Sequence, residues 1–127
     1  MPPSRTPHFI DGVPPVQVFV LAGQSNMEGQ AEVAQLNAST GKPKNGTLLY
    51  QTMDPRTAKQ FSATRSNGNW TVRDDVWVWF NEKGKTDDGS WGPLSVGFGV
   101  GASPEHIGPE YGFGFAVGDA FEEQVLS

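Results

Sequence analysis

The stretch that decides the fold is VQVFVLAGQSNMEGQ, residues 16–30 of a chain of 127 residues. Its first part, Val16–Ala22, is almost continuously apolar, which predicts a strand covered on both faces, as in a parallel sheet. Gly23 ends the apolar run, and Ser25 follows within a polar cluster. Because open α/β sheets bind ligands at the carboxyl ends of their strands, Ser25 marks a position where a site is expected.

The chemistry of Ser25 fits two roles. A serine between a strand and a following helix is placed to act as a nucleophile, with backbone N–H groups of the helix start facing the developing negative charge. A serine in this position is also typical of a turn or of a helix N-cap. The segment differs from the nucleophile elbow G-x-S-x-G, because Met27 stands where the second glycine is expected. The spacing alone leaves both roles open.

The remaining elements are predicted from local patterns. Val76–Phe80 is β-branched and aromatic and predicts a strand, which Trp91–Gly101 is expected to partner as a β-hairpin excursion from the main sheet. Gly108-Pro109-Glu110 predicts a helix start, since proline is tolerated in the first turn and an acidic residue there complements the helix dipole. Three glycines of this helix are expected to allow close helix–sheet packing: Gly112, Gly114 and Gly118.

Weaker patterns fill the rest of the chain. Met27–Leu36 is rich in good helix formers and predicts a short helix, and Thr47–Gln51 is a candidate strand. Residues 1–15 are rich in proline and predict an extended lead-in. The single domain is therefore expected to begin at residue 16.

Composition limits the classes of function. The net charge is −5 and no basic cluster occurs, which argues against a nucleic-acid partner. The absence of cysteine excludes disulfides, thiolate metal sites and a thiol nucleophile, and no ligand cluster calls for a metal or another cofactor. No apolar run is long enough to cross a membrane, and residues 1–15 contain no apolar core of signal-peptide length.

The pentapeptide Gly23-Gln24-Ser25-Asn26-Met27, followed by Gly29, resembles the first conserved block of the SGNH hydrolases. Within this superfamily it is similar to the sialate O-acetylesterase-like branch, which is related to carbohydrate esterases that include acetylxylan esterases. Three later segments resemble the same branch and occur in its order: Arg73–Trp77, Trp91–Leu94, and Gly108-Pro109-Glu110 with Phe113-Gly114 after it.

The resemblance implies a three-layer α/β/α fold with a parallel sheet, of the SGNH or flavodoxin-like type, over residues 16–127. It implies that Ser25 is the acyl-accepting nucleophile and that its backbone N–H belongs to the oxyanion hole. It further implies four residues that line the oxyanion hole or shape the site: Gly23, Gln24, Asn26 and Gly108. The substrate class is an acetyl ester on a sugar or polysaccharide, and proteins of this family are often secreted or periplasmic.

The chain departs from the family in the part that supplies the general base. The family's Q-G-E and D-x-x-H blocks are absent, and the two histidines are His8, in the proline-rich lead-in, and His106, just before the Gly108 helix. A serine without a general base is a weak nucleophile. We therefore expect residues 16–127 to be the N-terminal part of an esterase domain, truncated at its C-terminus and inactive without the missing blocks.

Two other functions are compatible with the sequence. One is a non-catalytic carbohydrate-binding or pseudoenzyme module on the same scaffold, with the four tryptophans as a stacking surface, although the same tryptophans also suit the core of a hairpin. The other is a lipase-like SGNH enzyme acting on other esters, against which the GQSNM pentapeptide argues.

An open sheet edge with an apolar face also predicts poor solubility.

Overall fold

The computed structural model describes residues 16–81, 89–99, 104–121 and 125–126. Helices and strands are mixed along the chain, as the sequence predicts at the level of fold class. The helices are α1 Ser25–Glu28, α2 Leu48–Met53 and α3 Pro109–Ala120, with a 3-10 turn at Ser62–Thr64. The strands are β1 Gln17–Val18, β2 Ala31–Glu32, β3 Arg65–Ser66, β4 Asn69–Trp70, β5 Arg73–Phe80, β6 Ser90–Leu94, β7 His106–Ile107 and β8 Val125–Leu126.

The largest sheet has the strand order β1-β8-β5-β6. Its longest ladder is the antiparallel pair β5–β6, in which Trp79 is paired with Trp91. The two-residue strand β8 runs parallel to β1 and to β5. The described residues thus show a small, mainly antiparallel arrangement, and they do not display the full parallel sheet of a three-layer fold. The predicted hairpin is present, but it forms half of the main sheet rather than an excursion from it; its turn lies outside the described residues.

Helix α3 covers one face of this sheet. A Cβ atom added at Gly114 would lie 2.5 Å from a methyl carbon of Leu94, and one added at Gly118 would lie 2.6 Å from a methyl carbon of Val76. The predicted close packing is therefore confirmed at these two glycines. It is wrong for Gly112, where an added Cβ would meet nothing within 4 Å. The core that this packing creates contains seven buried apolar residues: Val33, Leu48, Val76, Val78, Leu94, Phe98 and Tyr111.

An arginine joins the sheet to the same helix. The Arg73 guanidinium forms hydrogen bonds of 2.9 and 2.7 Å to the carboxylate of Asp75 on its own strand. It also donates to Asp119 at 2.6 Å and to the backbone carbonyl of Phe115 at 3.1 Å, both on α3. Because guanidinium offers several donors in a fixed plane, one side chain fixes the position of α3 on β5.

The prediction of a strand buried on both faces over Val16–Ala22 is wrong. Only Gln17–Val18 forms a strand, and its side chains alternate between a half-buried and an exposed face. Phe19 packs on Phe113 of α3 with ring centroids 5.3 Å apart, whereas Val18 and Val20 are 62% and 86% exposed. The reason is that α3 covers one side of the sheet, so that the alternate valines face away from it.

Two shorter predictions are also wrong. The helix expected over Met27–Leu36 does not form, because α1 ends at Glu28 with Gly29 as its C-cap at a φ of +84°, and the chain then enters β2 to pair with β7. The strand expected over Thr47–Gln51 is the helix α2. Its start is fixed by the Thr47 hydroxyl, which accepts a hydrogen bond of 3.1 Å from the backbone N–H of Tyr50, as an N-cap does. No helix within the described residues has the length and apolarity needed to cross a membrane.

Candidate active site

Ser25 is the first residue of the short helix α1, and its side chain is exposed. The carbonyl of Gln24 accepts hydrogen bonds from the N–H groups of Met27 at 2.8 Å and Glu28 at 3.0 Å, so Gln24 occupies the N-cap position. The interpretation of Ser25 as the N-cap is therefore wrong. Its hydroxyl makes no hydrogen bond to any described residue. Ser25 thus presents a free hydroxyl to solvent at the start of a helical turn.

Gly23 and Asn26 flank this hydroxyl. A Cβ atom at Gly23 would lie 2.9 Å from Cβ of Met27, so the glycine is what lets the turn fold back closely. Asn26 is exposed next to Ser25, as is Gln24. The N–H groups at the first turn of a helix have no intrahelical acceptor, so those of Ser25 and Asn26 can donate to an anion. The pentapeptide therefore contributes four consecutive exposed residues, Gly23, Gln24, Ser25 and Asn26.

The turn that carries Ser25 is anchored at Gly29. The N–H of Gly29 donates to the carbonyl of Ser25 at 3.3 Å. On its other side Gly29 meets Gly108: a Cβ atom at Gly29 would lie 2.5 Å from Cα of Gly108 and 2.7 Å from its nitrogen. A third glycine, Gly99, also lies close, since a Cβ atom added there would lie 2.7 Å from the carbonyl oxygen of Gly29. Glycine-to-glycine contact therefore brings the Ser25 turn and the start of α3 together.

Gly108 is the N-cap of α3, and its own N–H is held by a side chain. It donates a hydrogen bond of 3.0 Å to Oε1 of Glu110, whose side chain folds back over the helix start. Glu110 is only 7% exposed. Burial raises the pKa of Glu110, while the backbone hydrogen bonds from Gly108 and Glu110 itself oppose that change. A carboxyl group is thus buried one contact away from the Ser25 turn.

His106 lies in the same region but without a partner suited to a catalytic base. It is paired with Glu32 across β2–β7, and its carbonyl accepts from the N–H of Gly97 at 3.2 Å. Its Nδ1 atom is buried and has no hydrogen-bond partner. A catalytic imidazole is normally oriented by an acid at this nitrogen, and the described residues supply none. His8 lies outside the described residues.

The tryptophans do not form one surface. Trp70 belongs to the small β3–β4 sheet, where the Arg65 guanidinium lies 5.0 Å from its ring centroid. Trp77 and Trp91 are in contact on the main sheet, with centroids 5.4 Å apart, and Trp79 and Trp91 are 54% and 69% exposed. The prediction that the tryptophans form the hairpin core is therefore wrong for Trp79 and Trp91.

Sequence reasoning proposed Ser25, its neighbours and Gly108 as site residues, and it treated Glu110 only as a favourable helix-start residue. The signal for its back-folded hydrogen bond was the spacing of Gly108 and Glu110, because a glycine leaves room for a carboxylate two residues later to reach its N–H. Within the described ranges no group of three or more His, Asp or Glu residues is arranged to hold a metal ion. No family model, curated protein or solved structure matches the chain.

Proposed function

We propose that this chain is part of a serine-dependent carbohydrate O-acetylesterase, in which Ser25 is the nucleophile and acetylated sugars are the substrates. The observation that carries the proposal is the free, exposed hydroxyl of Ser25 at the start of α1, within the sequence GQSNM. The resemblance of the sequence to the sialate O-acetylesterase-like branch implies the chemical class and the three-layer α/β/α architecture. The contact of Gly29 with Gly108, which lies in the last of the resembling segments, supports the same assignment.

The proposed reaction is acyl transfer in two steps. The Ser25 oxygen attacks the acetyl carbonyl carbon, its proton passes to a general base, and the C–O bond to the sugar breaks as the sugar oxygen takes a proton. Water then hydrolyses the acetyl-serine and regenerates the hydroxyl. The N–H of Ser25 and neighbouring donors stabilise the oxyanion in both steps.

The 127 residues contain the nucleophile without the D-x-x-H block that supplies the base in the family. We therefore expect little turnover from this chain alone. Removing a triad base leaves a residual acceleration of roughly 10³–10⁴-fold over water, which comes from the oxyanion hole and binding. This residual rate acceleration is what an experiment on the proposed site can measure.

Chemical rescue tests the proposal. The chain is incubated with p-nitrophenyl acetate and imidazole, which serves as an external base, and peptide mass spectrometry then locates the acetyl group. We expect acetylation of Ser25 in the wild type, none at that position in Ser25→Ala, and much less at the exposed Ser66, which is the matched control serine. Equal acetylation of Ser25 and Ser66 would contradict the proposal. Fast turnover without imidazole, lost in His106→Ala, would instead make His106 the base and overturn the expected inactivity.

The exposed Trp79 and Trp91 favour one alternative, a non-catalytic carbohydrate-binding module on the same scaffold. Aromatic faces exposed to solvent are suited to stacking on ligands. Titration with neutral xylo-oligosaccharides, followed by tryptophan fluorescence, distinguishes the two functions. Saturable binding that is lost in Trp91→Ala and kept in Ser25→Ala would favour the binding module.

A further inference from the structure

We propose that Glu110 is a positioning residue for Ser25: its buried carboxyl holds the backbone of Gly108, against which the turn carrying the serine is packed. The catalytic meaning of this role rests on the proposed esterase function. The mechanical coupling between the two segments does not depend on it.

The coupling runs through two contacts. Glu110 Oε1 accepts the N–H of Gly108 at 3.0 Å, which fixes the peptide that precedes α3. The Cα atoms of Gly108 and Gly29 then meet without intervening side chains, and the N–H of Gly29 closes the α1 turn on the carbonyl of Ser25. A shift of the Gly108 peptide therefore transmits directly to the residue that closes the Ser25 turn.

A capping role alone does not explain the position of this carboxyl. An acidic residue complements a helix dipole equally well from an exposed position, where it keeps its hydration. Glu110 is instead 7% exposed, and no ion pair with it occurs within the described residues. Burying a carboxyl group is unfavourable unless its hydrogen bonds compensate. This buried carboxyl group lies where it accepts the N–H of Gly108, the residue that contacts Gly29.

The test compares three variants by amide hydrogen exchange at Glu28 and Gly29, with imidazole-rescued acetylation of Ser25 as a second readout. Glu110→Gln keeps an oxygen acceptor for Gly108, and we expect both readouts to match the wild type. Glu110→Leu removes the acceptor, and we expect exchange at Gly29 to rise, and acetylation of Ser25 to fall, by about tenfold, which corresponds to one lost hydrogen bond. Asp119→Asn weakens the opposite end of α3 and is the control; we expect neither readout to change.

A measurement on the wild type keeps the test decisive if Glu110→Leu does not fold. The amide resonances of Gly108 and Gly29 are followed by NMR as the pH is lowered. We expect both to move with one midpoint, because protonation of Glu110 alters its hydrogen bond to Gly108. Movement of Gly108 without Gly29 would overturn the proposed coupling.

The readouts separate the two proposals. Coupled exchange without any acetylation of wild-type Ser25 would remove the esterase function and leave the positioning role intact. Acetylation of wild-type Ser25 that is unchanged in Glu110→Leu, with unchanged exchange at Gly29, would remove the positioning role and leave the esterase function intact. Equal losses in Glu110→Leu and Asp119→Asn would reduce Glu110 to a general contributor to helix stability and would also overturn the proposal.

Discussion

Gly29 is constrained both by its backbone conformation and by its neighbour. Its φ of +84° is unfavourable for any other residue, and an added Cβ would lie 2.5 Å from Gly108 Cα. Gly46 provides a matched control, because it has a φ of +89° and nothing within 4 Å of an added Cβ. The two positions therefore separate conformational strain from steric conflict.

We expect Gly46→Ala to lower the free energy of unfolding by roughly 1–2 kcal/mol, the cost of a side chain in a left-handed conformation. Gly29→Ala should lose roughly 1–3 kcal/mol more, because backbone atoms cannot yield as a flexible side chain can. Urea denaturation of both variants measures the difference. Equal losses would show that the Gly29–Gly108 contact is looser than the distances indicate.

The contributions of Glu110 and Asp75 to the free energy of unfolding should change with pH in opposite directions. Burial raises the pKa of Glu110 above its ordinary value of 4.5, so the folded protein binds this proton more tightly than the unfolded chain. The charged carboxylate therefore destabilises the fold above its folded-state pKa, and this effect disappears as the pH falls toward 4.5. Hydrogen bonding to Arg73 lowers the pKa of Asp75 below its ordinary value of 3.8, so its contribution is favourable above 3.8 and is lost at lower pH.

Urea denaturation of Glu110→Gln and Asp75→Asn across pH 3–7 tests these signs. Relative to the wild type, Glu110→Gln should gain most stability near neutral pH, and its advantage should shrink toward pH 4.5. Asp75→Asn should be less stable than the wild type near neutral pH, with a deficit that narrows below pH 3.8. An advantage of Glu110→Gln that grows on acidification would show that the carboxylate is stabilised where it lies.

At the residue scale, the sequence predicted that Ser25 and Gly108 lie where helices begin, and the structure has Ser25 as the first residue of α1 and Gly108 as the N-cap of α3. The sequence did not predict that Gly29 and Gly108 meet, since they are far apart in the chain and no local pattern links them. The same limit applies to His106, whose unpartnered Nδ1 is visible only when its surroundings are known.

Among the elements, α3 offers a test of why its glycines are present. Gly112 is exposed and an added Cβ would meet nothing within 4 Å, whereas a Cβ at Gly118 would lie 2.6 Å from Val76. We expect Gly112→Ala to stabilise the protein by about 1 kcal/mol through helix propensity. Gly118→Ala should destabilise it by roughly 1–3 kcal/mol, because the added methyl group forces α3 away from β5.

Thermal unfolding of the two variants, followed by circular dichroism, measures both effects. A stabilised Gly118→Ala would show that α3 is free to move away from the sheet without penalty. Destabilisation by Gly112→Ala would indicate that this position is covered by something other than the described residues.

The elements differ in how far local sequence determined them. Helix α3 and strand β5 were predicted because each has a strong pattern of its own, a proline start in one and a β-branched aromatic run in the other. The chain between them was predicted less well, because its structure depends on partners. Strand β2 exists because β7 pairs with it, and α2 begins where Thr47 provides a cap that outweighs the β-propensity of the residues around it.

On the scale of the whole molecule, the main sheet has one covered and one open face. Val18 and Trp77 are both paired with Leu126, so their side chains lie on the same side of the sheet. Trp79 and Trp91 are paired directly and belong to this side as well. The open face therefore includes Val18, Trp77, Trp79 and Trp91, and the exposed Val16 and Val20 flank β1 in the chain. The sequence showed that these residues are apolar, but which of them α3 would cover depended on the register of the sheet.

An apolar sheet face of this kind promotes association, because water is excluded when two such faces meet. We expect the wild-type chain to associate increasingly with concentration in sedimentation velocity experiments. The double variant Val18→Thr and Val20→Thr should shift toward monomer with little loss of stability, since both positions are exposed and threonine keeps the β-branched shape.

Val33→Thr is the matched control for this substitution, because Val33 is only 2% exposed. It should lower the melting temperature without reducing association, since burial of an unpaired hydroxyl destabilises the core and leaves the open face unchanged. A wild-type chain that stays monomeric at high concentration and melts in one sharp transition would contradict the expectation. In that case the exposed valines and tryptophans are tolerated as ordinary surface, and the open face has no part in association.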